Sequence, residues 1–87
     1  MSKPHSIVDV RTSGEFAGGH VPGSINIPLN EVPERVEELR ALPTPLVLCC
    51  RSGNRSENAM RYLQQLGFTD VQNGGSWQDV LRTIEQP

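Results

Sequence analysis

Residues 46 to 56 read L-V-L-C-C-R-S-G-N-R-S: a short apolar run ending in adjacent cysteines, then a polar loop carrying two arginines and a glycine. A continuous apolar run, preceded by Pro43-Thr44-Pro45, predicts a central strand of a parallel sheet, buried on both faces. Side chains alternate along a strand, so Cys49 and Cys50 point to opposite faces and meet different surroundings. From Arg55 or Ser56 a helix is predicted, with Ala59, Met60, Leu63 and Leu66 turned inward until Gly67 ends it. Strand, tight loop and helix in succession are a building unit of α/β domains, whose ligands bind at the carboxyl ends of the strands.

The flanking sequence extends this pattern in both directions. Ser6 to Arg11 is a β-branched run suited to a buried strand. Thr12 to Gly19 predicts one irregular helical turn, capped by Thr12 or Ser13 and directing Phe16 inward. His20-Val21-Pro22-Gly23-Ser24 is a turn, and Ile25 to Pro28 a short second strand. Asn30 to Leu42 reads as an amphipathic helix with apolar positions at Val32, Val36, Leu39 and Leu42, and with Pro33 tolerated in its first turn. Phe68 to Asn73 offers a weak fourth strand before Gly74-Gly75. Ser76 with Asp79 resembles a capping box, and Trp77, Val80, Leu81 and Ile84 give the last helix its apolar face. The expectation is an α/β fold: a small, mainly parallel four-stranded sheet flanked by helices.

At 87 residues, residues 1–87 are expected to form a single domain with a small core. A formal charge of -2 gives no basic excess for nucleic acid, although locally clustered arginines can hold a small anion. No apolar stretch approaches the roughly 20 residues of a membrane span. Met1 to His5 has no apolar segment of the exported kind, so a cytoplasmic location is expected; a removed signal peptide would make it periplasmic. The two cysteines are neighbours, and a bridge between them would close a strained ring while stapling no loop. His5 and His20 stand at no ligand spacing from them, so neither a metal nor a cofactor is expected.

A thiol is a nucleophile only as thiolate, and an ordinary cysteine, with a pKa of about 8.5, is mostly protonated at neutral pH. Cys50 is followed by three sources of positive potential: the charges of Arg51 and Arg55, the N–H groups of a tight loop, and the N-terminus of the next helix. The same features would hold an anionic substrate. Cys49, on the other strand face, is read as core filler.

C-R-S-G-N-R-S resembles the active-site loop of the rhodanese family of sulfurtransferases. I-V-D-V-R-T-S-G-E-F-A-G-G-H-V-P-G-S-I-N-I-P-L and L-Q-Q-L-G-F-T-D-V-Q-N-G-G-S-W resemble its opening and closing signatures, in the same order. The chain resembles the smallest bacterial, phage-shock-type members. The resemblance implies a double displacement without a separate base: Cys50 takes a sulfane sulfur from thiosulfate or a similar small anionic donor, then passes it to cyanide, a thiol or a protein. The N–H groups of residues 51 to 55 would stabilise the persulfide, and Arg51 and Arg55 would steer the donor. Arg51, Ser52, Gly53, Asn54, Arg55 and Ser56 are thus the expected substrate-binding residues, with Asp9 and Arg11 a supporting charge pair and Glu15 a partner for Arg11.

A monomer or weak dimer is expected, with no nucleic-acid or membrane partner. Two rival readings exist. A cysteine phosphatase or arsenate reductase has five residues between cysteine and arginine, whereas Cys50 and Arg55 have four between them. A regulatory module or partner-docked sulfur carrier could use the same scaffold. His20 is expected to bond backbone, Trp77 and Phe16 to fill the core, and the acidic residues of the 30 to 42 helix to face solvent.

Overall fold

The computed structural model describes residues 6–85. Four strands, β1 (Ser6–Asp9), β2 (Ile25–Asn26), β3 (Leu46–Cys50) and β4 (Val71–Ser76), form one sheet in the order β2-β1-β3-β4, with each neighbouring pair parallel. Four α-helices connect and cover them: α1 (Ser13–Ala17), α2 (Val36–Arg40), α3 (Asn54–Gln65) and α4 (Trp77–Glu85), with a 3₁₀ helix at Leu29–Arg35. This is the α/β architecture expected from the sequence. Met1 to His5, on which the export reading rests, lie outside the described residues.

Strand β3 is buried at all five positions, as a central strand covered on both faces must be. Its alternation divides the core. Leu46, Leu48 and Cys50 pack with Val32, Leu39 and Leu63 under the 3₁₀ helix, α2 and α3. Val47 and Cys49 pack with Val21 and Val80 on the α4 side, where Trp77 and Leu81 close the layer.

Several boundaries differ from the sequence expectation. The first strand ends at Asp9, although Val10 still donates to the Cys49 carbonyl at 2.9 Å and accepts from Leu29. The 30 to 42 helix is a 3₁₀ helix as far as Arg35 and an α-helix only over Val36–Arg40. Pro33 has no N–H for the carbonyl four residues back, and the tighter turn accommodates it. The fourth strand begins at Val71 rather than Phe68, because Phe68 donates to Leu63 and so completes the end of α3. It continues through both glycines to Ser76. Leu66 and Ile84, expected to face inward, are 38% and 39% exposed. Phe16 is half-buried and stacks on His20 at 3.7 Å, while His20 Nδ1 lies 2.8 Å from the Phe16 carbonyl, the expected backbone bond.

Candidate active site

Cys50 ends β3, and the chain turns through Arg51 and Ser52 to Gly53, whose φ of 98° opens α3. That left-handed conformation favours glycine, and a Cβ there would also lie 3.4 Å from the Gly75 Cα. The turn brings the Gly53 N–H to the Cys50 Sγ at 3.0 Å. Burial pushes the Cys50 thiol up, but hydrogen bonds from the Ser56 hydroxyl and from the N–H groups of Ser56, Ser52 and Gly53 outweigh it. The net pKa is below that of an ordinary thiol. On the other face, burial and the charge of Asp9 push Cys49 up to about 12. Both thiols are free and have no exposed surface. The two cysteines therefore differ in chemistry as the alternation of the strand requires.

Ser56 is fully buried, with its Oγ 3.5 Å from the Cys50 Sγ. Asn73 Oδ1, 2.6 Å away, is the other acceptor for its one hydroxyl proton. Asn73 is a residue that sequence reasoning passed over. Its Oδ1 accepts from the Gly75 N–H as well, and its Nδ2 donates to the Gly53 carbonyl and to Glu57, both at 3.1 Å. Asn73 thereby fastens β4 to the loop around Cys50. A position just before Gly74-Gly75, pairing with β3, was the available signal.

Asp9 is completely buried and accepts from Arg11 Nε at 2.9 Å and Nη2 at 2.7 Å. Hydrogen bonding to Asp9 raises the Arg11 pKa further above its ordinary value. Arg11 also donates to the Glu15 and Gly19 carbonyls, and its guanidinium lies 5.0 Å from the Trp77 ring centroid. It thus fixes α1 against the start of α4. Trp77 is half-buried, walling this contact from one side.

Glu15, expected as a partner for Arg11, meets it through its backbone carbonyl and not through its carboxylate. The carboxylate instead takes both terminal nitrogens of Arg55, at 2.7 and 3.0 Å. Hydrogen bonding to Arg55, joined by the Thr12 N–H, lowers the Glu15 pKa to about 2. Arg51, Ser52 and Asn54 are exposed, and Arg51 borders a cleft of about 330 Å³ shared with Arg11, Glu15 and Trp77. The expected site residues are thus gathered around one loop, with Arg55 held by a carboxylate and Arg51 open to solvent.

The sequence matches the family described as "Rhodanese-like domain" over residues 1–81. It is 41% identical over 68 residues to the Bacillus subtilis "Putative sulfur carrier protein YrkF", covering 78% of this chain but 36% of that protein. It is 37% identical over 76 residues to "Thiosulfate sulfurtransferase PspE" of Escherichia coli, covering 84% of this chain and 71% of PspE. The chain therefore spans about a third of YrkF and about half, 52%, of another Bacillus subtilis relative, YqhL. A solved structure described as "rhodanese with anions from E. coli" superposes with a TM-score of 0.78 at 35% identity, over 85% of this chain and 88% of that one. On the matched sequence, the parallel sheet and the loop that closes around Cys50, this chain belongs to the rhodanese-like domain family.

Proposed function

We propose that the protein transfers a sulfane sulfur through a persulfide on Cys50. The observation that carries this reading is the Cys50 Sγ, 3.0 Å from the Gly53 N–H at the start of α3, in surroundings that favour the thiolate. The thiolate attacks the sulfane sulfur of a small anionic donor such as thiosulfate. The S–S bonding pair leaves with sulfite, and the persulfide remains on Cys50. An acceptor thiol or protein in the cell, or cyanide in an assay, then takes the outer sulfur and returns the thiolate.

Backbone N–H groups of the loop stabilise the persulfide anion, with Ser52, Gly53 and Asn54 shaping its mouth and Ser56 its floor. Arg51 meets the oxyanion end of the donor, and Arg55 lies behind it against Glu15. Four residues between Cys50 and Arg55 make a smaller loop than phosphoryl transfer uses. Cys50 has no exposed surface, so the sulfur it carries is shielded from solvent. That shielding also favours a second reading, a partner-docked sulfur carrier. Among the described residues the exposed large apolar side chains are Leu66 and Ile84, which supports a monomer or weak dimer. No described helix is long and apolar enough to cross a membrane.

The test is a thiosulfate and cyanide assay combined with intact-mass analysis. Wild type should release thiocyanate and gain the mass of one sulfur. Cys50→Ser should lose both and Cys49→Ser keep both, while Arg51→Ala should raise the thiosulfate KM with little effect on folding. Sulfur transfer by Cys50→Ser, or hydrolysis of aryl phosphates by wild type, would overturn the assignment.

A further inference from the structure

Three guanidinium groups surround the Cys50 loop, and two are neutralised by carboxylates. Arg11 is held by Asp9, and Arg55 by the two-pronged contact with Glu15. Among the described residues around the loop, Arg51 alone has no carboxylate partner. Its guanidinium borders the cleft beside the loop, so a dianion such as thiosulfate meets one unpaired cation there and not two. The sulfane sulfur of a thiol persulfide carries at most one negative charge and does not need the second cation.

We propose that Glu15 determines donor selectivity: by cancelling Arg55 it turns the site away from dianionic donors and toward thiol persulfides, R–S–SH. This rests on the sulfur-transfer reading of Cys50. The Cys50 thiolate attacks the outer sulfur, the S–S bond breaks, and its electron pair leaves with the R–S group. That group takes the proton of the persulfide as R–SH, leaving Cys50–S–S⁻. The sulfur moves without change of oxidation state, so no oxidant or reductant is consumed.

Glu15 is built into this position. Its Oε1 accepts from the Thr12 N–H at 3.0 Å, and the Thr12 hydroxyl accepts from the Glu15 N–H at 3.2 Å, a complete capping box on α1. Arg11 holds the same turn from below through the Glu15 carbonyl. The partner, Arg55, is 40 residues away in sequence, so the neutralisation is a product of the fold and not of local helix pairing. With its pKa lowered to about 2, Glu15 stays ionised throughout any working pH range, and pH cannot release Arg55.

Glutamine also completes a capping box, so Glu15→Gln keeps the cap and removes the charge. The experiment compares kcat and KM for thiosulfate and for β-mercaptoethanol persulfide, an uncharged thiol's persulfide, with circular dichroism as a check on folding. Wild type should favour the persulfide in kcat/KM by about tenfold or more. Glu15→Gln should lower the thiosulfate KM by about five- to tenfold, with kcat and the persulfide kinetics within about twofold. Adding Arg55→Gln to Glu15→Gln should abolish that gain. A wild-type preference for thiosulfate, an unchanged donor ratio in folded Glu15→Gln, or a gain that survives Arg55→Gln would overturn the proposal. Absence of transfer from both donors in wild type would overturn the reading of Cys50 itself.

Discussion

Ser56 has one hydroxyl proton and two acceptors for it. Directed at the Cys50 Sγ, it supports the thiolate; directed at Asn73 Oδ1, 2.6 Å away, it leaves Ser56 to accept from the thiol. Asn73 therefore bears on Cys50 without touching it, and we propose it as a positioning residue for the sulfur transfer proposed above. Asn73→Asp would draw the Ser56 proton more strongly and add negative charge behind the loop, opposing ionisation of Cys50. We expect the acid limb of the kcat/KM profile to move to higher pH and activity at neutral pH to fall by about tenfold, with ultraviolet thiolate absorbance moving in parallel. An unmoved pH profile would leave Asn73 with a merely structural role. The sequence displayed Cys50, the loop and Ser56 in one run. Asn73 was invisible because it reaches Ser56 across a separation of 17 residues.

At the level of elements, β4 meets β3 through a register shift. Leu48 pairs with Asn73 and Cys49 with Gly75, which leaves Gly74 as an extra residue beside β3. A Cβ on Gly74 would lie 2.7 Å from both Val47 Cγ1 and Val80 Cγ2, within van der Waals radii of the sheet below and α4 above. Gly74→Ala should destabilise the fold by about 1 to 3 kcal/mol, measured by denaturant unfolding, as α4 is forced off the sheet. The sequence expectation ended the strand before the glycines because glycine weakens strand propensity. Packing reversed that preference, since glycine alone lets α4 approach. The 3₁₀ segment around Pro33 is another local departure: the apolar spacing was right, with Val32 and Leu39 buried, but the missing N–H changed the helix type.

For the whole molecule, the contrast between the thiols makes stability depend on pH in two directions. Cys50, whose folded pKa is lowered, contributes stability that is present above the ordinary thiol pKa and lost as pH falls through its folded value. Cys49 contributes stability that is complete below the unfolded thiol value of about 8.5 and lost as pH rises toward its folded value. With the Cys49 pKa pushed up to about 12, that loss spans the alkaline range. Stability should fall there by up to about 1.4 kcal/mol per pH unit, a slope that Cys49→Ala should flatten. Urea melts across alkaline pH test this, and an equal slope in both proteins would refute it.

What the sequence determined by itself was whatever nearby residues decide. Apolar runs and turn residues set the order of strands and helices, strand alternation separated Cys49 from Cys50, and the residues following Cys50 supplied its positive surroundings. Three ordered motifs pointed to the family. Only the tertiary structure decided which charges are spent on each other. Glu15 had Arg11 close by in sequence, yet its carboxylate went to Arg55. Buried Asp9 had already taken the Arg11 guanidinium, and α1 carries Glu15 up to the start of α3. Side-chain pairing depends on distance through space, which the folded sheet sets and spacing along the chain does not.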